Sequence, residues 1–281
     1  MGADLIPADR VPADALRDAF NAAFADYLIG PMTVTPEGWP AVLARQCIDL
    51  AASRVVMAGD AVTAFALVAP RHDVPHWRLA VMGARPEARG SGAAKALLDD
   101  LIVRAAGQAA LELEVFAQNA RARALYESRG FRAVAELAGW TRAEGLAVDG
   151  PAVAVQERTL ADAMAALAHP AGPLRPLQVT PASLAALAGD VLVWQHASAW
   201  LLWKLGDRGP WIHVLEGEPA DAEALLRTLL LSHPGRGVKL APLHRSDLLP
   251  GLWPRLGFER QPLHQLYVVR PMNPTTKETR P

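Results

Sequence analysis

Cysteine is nearly absent from this chain: Cys47 is the single thiol among 281 residues. One cysteine excludes an intrachain disulfide framework and a cysteine-rich zinc site, and it is typical of a reducing compartment such as the cytoplasm. Because Cys47 lies in an apolar stretch with helical spacing, we expect a buried structural thiol there rather than a nucleophile. We expect no metal cofactor.

An excess of charge is lacking as well. Lys and Arg number 28 against 29 Asp and Glu, which gives a formal net charge of −1. Without a global positive field or a basic run, we expect no nucleic-acid partner and no membrane partner. No apolar run reaches the roughly 18 residues needed to cross a bilayer, and residues 1–6 lack the regions of a signal peptide. We therefore predict a cytoplasmic protein.

The chain is rich in apolar residues: 51% of its residues are hydrophobic and 20% are charged, as in a core-forming globular protein. Its length allows one large domain or two ordinary ones. Apolar spacing predicts helices over residues 14–27, 36–51, 94–106, 119–129, 160–167, 220–231 and 246–255. Apolar runs bounded by turn residues predict strands over 54–57, 62–68, 77–82, 111–116, 131–137, 191–196, 199–205, 211–215, 238–243 and 263–269. The alternation indicates a mixed α/β sheet.

The most informative segment is a glycine-containing loop at residues 84–95, between a predicted strand and a predicted helix. A helix start offers free N–H groups and a dipole that favours negative charge. Gly90 and Gly92 allow the main chain to approach a phosphate closely, and Arg89 and Lys95 add positive charge. The spacing matches neither the phosphate loop of nucleotide triphosphatases nor the dinucleotide-binding fingerprint. A loop without any ligand is the alternative.

A second strand–loop–helix segment follows at residues 113–131. Asn119 is placed to cap the helix. The side chains of Ala122, Leu125 and Tyr126 share one helical face. A glycine at the expected helix end is followed by Phe131, as its hydrophobic contact.

Together the two segments resemble the GCN5-related N-acetyltransferase (GNAT) superfamily. The family loop, [Arg/Gln]-x-x-Gly-x-[Gly/Ala], reads Arg89-x-x-Gly92-x-Ala94 here. The later family motif, Asn-x-x-Ala-x-x-Leu-Tyr-Glu-x-x-Gly-Phe, is matched at every fixed position, by Asn119, Ala122, Leu125, Tyr126, Glu127, Gly130 and Phe131. The close match covers about residues 50–135. It implies the GNAT acyl-CoA N-acyltransferase fold, in which the mixed sheet splays open beside the glycine loop.

The resemblance also implies a cosubstrate, acetyl-coenzyme A, lying in that splay. The main chain of Met82, Gly83 and Ala84 would pair with the pantetheine arm. The N–H groups that would cradle the pyrophosphate belong to Gly90, Ser91, Gly92, Ala93, Ala94 and Lys95. Asn119 would hydrogen-bond the coenzyme arm, and Tyr126 would donate a proton to the departing thiolate.

The general base has three candidates. By its resemblance to the ribosomal-protein N-terminal acetyltransferase branch, Glu114 on the strand 111–116 is the base. Glu112 lies on the same face of that strand by its period of two, and His76 precedes the central strand. For the two carboxylates the alternative is a solvated strand face, and for His76 it is a surface loop.

The second half of the sequence repeats the first in weakened form. Residues 246–258 align without a gap with residues 119–131, and Leu252, Gly257 and Phe258 recur. At the place of the glycine loop stands an acidic segment, 216–221, which suits a helix cap but repels a pyrophosphate. We therefore predict a degenerate half that does not bind the coenzyme. Its five tryptophans are expected to be mainly packing residues.

These observations predict a catalytic GNAT domain at 1–142, a connector with a short helix at 143–189, and a degenerate GNAT-like domain at 190–281, in tandem. The predicted function is acetyl-CoA-dependent N-acetyl transfer to a primary amine of a small molecule or peptide, by direct attack. The alternative is a non-catalytic acyl-CoA-binding or regulatory module. Mycothiol synthase is also built from two such halves, but its second half is the active one. It is disfavoured because the intact motifs of this chain lie in the first half. A homodimer is left open.

Overall fold

The computed structural model describes residues 4–168, 174–187 and 191–272. These residues divide into two compact units. The first holds those within 1–115, 119–133 and 268–281, and the second holds those within 116–118 and 134–267. The predicted mixed α/β architecture is confirmed, because both units combine strands of a mixed sheet with helices.

The first unit contains five strands and four α-helices. In chain order they are β1 (Leu5–Pro7), α1 (Ala13–Ala23), α2 (Trp39–Arg45), β2 (Asp49–Ala58), β3 (Ala61–Pro70), β4 (His76–Ala84), α3 (Ala93–Ala105), β5 (Ala110–Phe116, its last residue counted with the second unit) and α4 (Ala120–Glu127). Strands β1 to β4 pair antiparallel in sequence order, and β4 pairs parallel with β5. A parallel pair needs a crossover, and α3 supplies it.

An aromatic core fixes α1 on this sheet. Phe20, at 2% exposure, contacts Phe24, Trp39 and Phe65, with ring centroids 4.8 to 6.3 Å apart. Burial of a side chain of this size contributes about 2–3 kcal/mol. Because α1 is amphipathic, its apolar face lies on β3 and β4, and its position there defines one wall of the site described below.

The second unit contains eight strands and four α-helices. They are β6 (Arg132–Arg142, its first two residues counted with the first unit), β7 (Gln156–Arg158), α5 (Leu160–Leu167), α6 (Pro181–Leu184), β8 (Leu192–His196), β9 (Ala199–Gly206), β10 (Gly209–Glu216), α7 (Pro219–Ser232), β11 (Val238–Arg245), α8 (Leu252–Arg255), β12 (Glu259–Arg260) and β13 (Gln265–Arg270, its last three residues counted with the first unit). Within this unit the strand order is β6-β11-β10-β9-β8-β7.

The second unit repeats the element order of the first. Strands β8, β9 and β10 pair antiparallel, α7 follows, and β11 pairs parallel with β10. In the first unit the same roles belong to β2, β3, β4, α3 and β5. The repeat of order and strand direction agrees with a degenerate second GNAT-like half, which remains a prediction.

Two predicted helices are shorter than expected. The helix predicted over 36–51 ends at Arg45, because Cys47 adopts a left-handed φ of +52° and β2 begins at Asp49. Cys47 therefore lies in a turn and is half-buried rather than helical. The helix predicted over 246–255 forms only over Leu252–Arg255, after Gly251 at φ +73°. The helix predicted over 160–167 is confirmed with the same bounds.

The division into units differs from the predicted domains. The segment predicted as a connector, 143–189, contributes β7 and α5 to the second unit, where β7 pairs with β8. Ala163 and Leu167 of α5 pack in one buried cluster with Val193 and Leu202. After β13 begins, the chain returns to the first unit, where Arg270 Nε donates to the Arg129 carbonyl at 2.9 Å. The difference arises because apolar side chains between the Gly and Pro residues of segment 143–189 are buried against β8 and β9.

Within the described residues, none of the helices combines the length and the apolar character that a membrane span requires.

Candidate functional site

Strands β4 and β5 separate part of the way along their length. Their register joins only residues 76–78 to residues 110–112, whereas β4 keeps pairing with β3 up to Ala84. The register between β3 and β4 shifts at Ala80, between Leu79 and Val81. A bulge of this kind bends its strand, so β4 turns away from β5 where their pairing ends. The result is a V-shaped opening between two neighbouring parallel strands, as the family resemblance implied.

The glycine loop lies at the C-terminal end of β4. Gly90 and Gly92 adopt φ values of +85° and +91°, and a Cβ added at either position would meet no atom within 4 Å. Both glycines are therefore required by the backbone and face open space. The N–H of Ala96 donates to the Gly92 carbonyl at 3.0 Å and starts the hydrogen-bond ladder of α3. The N–H groups of Ala94 and Lys95 precede that ladder and can receive an anion.

Arg89 is paired within the protein. Its guanidinium donates two hydrogen bonds to the Asp26 carboxylate, at 2.5 and 2.6 Å, and one to the Ala23 carbonyl at 3.1 Å. The hydrogen bonds from Arg89 lower the pKa of Asp26, and those to Asp26 raise the pKa of Arg89. The positive charge of Arg89 is thus balanced by Asp26, and Arg89 ties the loop to the end of α1.

An open depression of about 490 Å³ adjoins the same loop. Ser91, Gly92 and Ala93 form one side of it, and the β2–β3 hairpin, including Met57 and Thr63, forms another. The start of α3 is therefore accessible to a ligand.

Gly83 has a packing role in β4. A Cβ there would lie 2.8 Å from Phe65 Cζ and 3.0 Å from the Ala23 Cβ. Only glycine lets β4 approach α1 this closely. Met82 and Ala84, its neighbours, are partly exposed on the strand that leaves β5.

The motif helix α4 begins and ends as predicted. Asn119 Oδ1 accepts the Ala122 N–H at 3.2 Å, which confirms the predicted cap. Tyr126 is 8% exposed, and its ring meets Phe131 edge-on at 5.8 Å. Burial, with a smaller contribution from Tyr27, raises the pKa of Tyr126 far above its ordinary value. Its hydroxyl therefore stays protonated, as a proton donor must be.

The predicted base Glu114 forms a buried ion pair. Arg78 Nε and Nη2 approach Glu114 Oε2 at 2.8 and 2.7 Å, and Arg78 Nη1 donates to Gln46 Oε1 at 2.9 Å. The exposed fractions of the Arg78 and Glu114 side chains are 2% and 3%. To accept a proton, Glu114 would have to give up part of this hydrogen bonding.

The other two base candidates are in contact with each other. His76 Nδ1 lies 2.7 Å from Glu112 Oε2, and Arg71 Nη1 donates to Glu112 Oε1 at 2.8 Å. The structure therefore places all three base candidates on one face of β4 and β5, close to the point where the strands separate. Glu112 is fully buried, so the solvated strand face considered for it is wrong.

Sequence reasoning missed Arg71 and Arg78, which hold the two carboxylates, and Gln46, which accepts a hydrogen bond from Arg78. A signal was available for Arg78: with His76 it forms a polar pair of period two, matching Glu112 and Glu114 on the next strand. Nothing local links Arg71 to Glu112 or Gln46 to Arg78, because 41 and 32 residues separate the two members of these pairs. Burial also raises the pKa of the Cys47 thiol, as suits a structural residue. The described part of the chain holds no cluster of three His, Cys, Asp or Glu arranged for a metal ion.

The corresponding region of the second unit is built differently. Gly217, at φ +136°, is packed so closely that a Cβ would lie 2.5 Å from Ala199 Cα. Pro219 begins α7 and offers no N–H, and the Asp221 carboxylate accepts the Ser198 N–H at 3.1 Å. Glu216 pairs with Arg175 at 2.5 Å. This helix start is closed by its own chain and by carboxylates, which supports the predicted lack of coenzyme binding there.

Comparisons with known proteins agree with this geometry. Residues 14–131 match the model of the acetyltransferase (GNAT) family. No curated protein matches the sequence significantly. Among solved structures, a GCN5-related N-acetyltransferase from Anabaena variabilis superposes with a TM-score of 0.67 at 14% identity, over 97% of this chain and 73% of that one.

Two further structures share the fold. A GCN5-related N-acetyltransferase from Sphaerobacter thermophilus gives a TM-score of 0.60 at 19% identity, over 96% of both chains. Another, from Kribbella flavida, gives 0.61 at 17% identity, over 96% of this chain and 71% of that one. The splayed strands, the glycine loop and the family match lead to one conclusion: this chain carries a domain of the acetyltransferase (GNAT) family at residues 14–131.

Proposed function

We propose that the first unit transfers an acetyl group from acetyl-coenzyme A to a primary amine of a small molecule or peptide. The observation that carries the proposal is the opening between β4 and β5, which leads to the open glycine loop at the start of α3. The part of β4 that is no longer paired with β5 can form hydrogen bonds with an amide-containing arm. A pyrophosphate can bind at the helix start.

The residues fit this cosubstrate in a defined way. Gly90 and Gly92 leave space where side chains would stand, and the N–H groups of Ala94 and Lys95 precede the α3 ladder, while the N–H of Ala93 donates to Ser91 Oγ at 3.3 Å. Since Arg89 is bound to Asp26, the anion would be held mainly by backbone N–H groups and the helix dipole. We propose that Met82, Gly83 and Ala84 carry the backbone contacts of the arm and that Ser91 belongs to the cradle.

The proposed chemistry is direct attack of a neutral amine on the thioester carbonyl. The C–N bond forms, the C–S bond breaks, and the thiolate takes the proton of Tyr126. A cysteine-like thiol has an ordinary pKa of about 8.5, below that of Tyr126, so donation requires a thiolate that has lost its water. The buried position of Tyr126 provides such surroundings. Asn119 would orient the arm, and Glu114 remains a predicted base.

The test is a thiol-release assay with acetyl-coenzyme A against primary alkylamines, peptides with free N-termini and aminoglycosides, with product masses measured. We expect amine-dependent release and a product heavier by one acetyl group. Coenzyme binding without turnover of any acceptor would instead favour the non-catalytic acyl-CoA-binding module. Absence of coenzyme binding would refute both. A cytoplasmic location and a homodimer remain predictions.

A further inference from the structure

Four side chains near the separation of β4 and β5 form one continuous chain of contacts. Asp73 accepts two hydrogen bonds from Arg71, at 2.9 and 2.5 Å. Arg71 Nη1 donates to Glu112 Oε1 at 2.8 Å, and Glu112 Oε2 lies 2.7 Å from His76 Nδ1. The contacts join the loop before β4 to β5 and end at an imidazole.

This arrangement is costly for a protein that needs only to fold. The exposed fractions of the Glu112 and Arg71 side chains are 0% and 1%. Each buried ion loses its water at a cost of several kcal/mol, and an apolar pair of similar size would serve stability at least as well. Buried charges that converge on a partly exposed histidine are more typical of functional sites.

The contact with Glu112 determines the form of the His76 ring. An ionised carboxylate accepts a hydrogen bond, so Nδ1 carries the proton and Nε2 holds the lone pair. Glu112 is fully buried whereas 16% of the His76 side chain is exposed. The ring is thus held on its Nδ1 side, and its Nε2 side is the one available to accept a proton.

We propose that His76 is the general base of the amine acceptor and that Glu112 positions it; this rests on the function proposed above. His76 Nε2 takes one proton from the ammonium form of the acceptor. The neutral amine then attacks, the nitrogen loses its second proton, and that proton restores Tyr126 after Tyr126 has protonated the thiolate. His76 finally releases its proton to water, so that one proton is produced per acetyl transfer.

Charged side chains surround His76. Glu112 faces it from β5, Asp73 and Arg71 face it from the preceding loop, and the Arg78–Glu114 pair lies one position further along the strands. A third guanidinium, that of Arg45, lies near Arg78, so three carboxylates are matched by three guanidinium groups. The carboxylate in contact with Nδ1 orients the ring, as the aspartate of a Ser-His-Asp triad does.

The experiment compares His76→Asn, Glu112→Gln and Glu114→Gln with the wild type, using acetyl-coenzyme A and the best alkylamine of the panel above. For His76→Asn we expect kcat/KM to fall by about 10²-fold, with an unchanged coenzyme Kd. The fall of the rate at acid pH should disappear from its pH profile. Imidazole added to His76→Gly should restore part of the rate. Glu112→Gln, which keeps the shape of the side chain, should lose about tenfold and shift the acid limb.

The outcomes separate this inference from the proposed function. If the wild type acetylates the amine but the histidine variants keep its rate and pH profile, His76 is not the base. The inference also fails if Glu114→Gln removes the acid limb while Glu112→Gln does not. A purely structural role predicts lower melting temperatures without imidazole rescue. If His76→Asn does not fold, Glu112→Gln and the rescue of His76→Gly decide the question. If no amine is acetylated by the wild type, the proposed function itself has failed.

Discussion

Two strand–loop–helix regions of the molecule share a frame and differ in the loop. In the first unit β4 leads to α3 through eight residues, 85–92, and in the second β10 leads to α7 through two, 217–218. Both strands follow an antiparallel partner, both have a register shift, at Ala80 and at His213, and both pair parallel with the next strand. The frame alone therefore does not make an anion site.

Glycine has opposite roles in the two loops. Gly92 faces open space, whereas the position of a Cβ on Gly217 is filled by Ala199. The first loop also exposes backbone N–H groups at a helix start, while the second helix start carries Pro219, which has no N–H, and the acidic Asp221 in its first turn. Loop length and the surroundings of its glycine are thus the differences on which our proposal of a phosphate site in the first loop alone depends.

The largest effect on coenzyme binding is expected from a substitution that closes the first loop and so makes it resemble the second. In Gly92→Val a branched side chain at φ +91° both strains the backbone and enters the open space. Loss of two hydrogen bonds to a charged group, at about 1.5–3 kcal/mol each, should weaken coenzyme binding by about 10²- to 10⁴-fold. Calorimetric titration with coenzyme A measures the effect.

Gly217→Val is the matched control in the second unit. It should lower the melting temperature, because the side chain meets Ala199 at 2.5 Å, but the protein that remains folded should bind the coenzyme normally. Equal loss of binding in the two variants would show that the first loop is not the site.

The two units should also differ in their response to acid. Burial lowers the pKa of His244 to about 4 from an ordinary 6.5, so between these values the unfolded chain binds a proton that the folded unit does not. Stability is then full above pH 6.5 and decreases as pH falls toward 4, by about 3 kcal/mol. Urea unfolding at pH 6.5 and at pH 4 measures this loss of stability, with hydrogen–deuterium exchange of the amides in residues 238–245 used to follow unfolding of the second unit. His244→Leu should flatten the dependence, and substitution of the half-buried His196 should leave it intact.

Tyr126 and its counterpart Trp253 test the comparison at the level of chemistry. Tyr126→Phe removes the proton for the thiolate and should lower kcat by about 10²-fold with little change in coenzyme Kd. Trp253→Phe, in the core of the second unit, should affect stability and leave kcat of the folded protein unchanged. A normal kcat in Tyr126→Phe would assign the tyrosine to packing against Phe131.

A milder change copies the acidity of the second loop into the first. Ser91→Asp places one carboxylate beside the open helix start, where Ser91 is exposed. Repulsion of a pyrophosphate at the surface should cost about 1 kcal/mol, or five- to tenfold in Kd, and should weaken as salt is added. Ser91→Asn, of similar size, should bind nearly as the wild type does. A salt-independent loss in both variants would point to shape rather than charge.

The sequence predicted the parts of the site that local patterns encode. The glycine loop, the start of α3 and the Asn119 cap depend on residues close together in the chain, and the structure has them where their spacing indicated. The end of α2 was missed because the left-handed turn at Cys47 has no glycine to mark it. The predicted connector was wrong in character because Gly and Pro residues obscured the apolar faces that pack on β8 and β9.

The polar contacts were beyond local reasoning for a different physical reason. Each carboxylate of β5 meets its partner across strands, as Arg78 meets Glu114 over 36 residues of sequence. Strand register, which depends on the whole sheet, sets such pairs. Sequence could therefore name Glu112, Glu114 and His76 as candidates, but only the fold shows that Glu114 is held by a buried guanidinium and His76 by a buried carboxylate.

The most direct test of the difference between the two loops is hydrogen–deuterium exchange of the wild type with and without saturating coenzyme A. The account predicts slower exchange of the amides in residues 90–96, where the helix start receives the pyrophosphate, and no change in residues 217–223. Protection of 217–223, or unchanged exchange in 90–96 despite bound coenzyme, would contradict it.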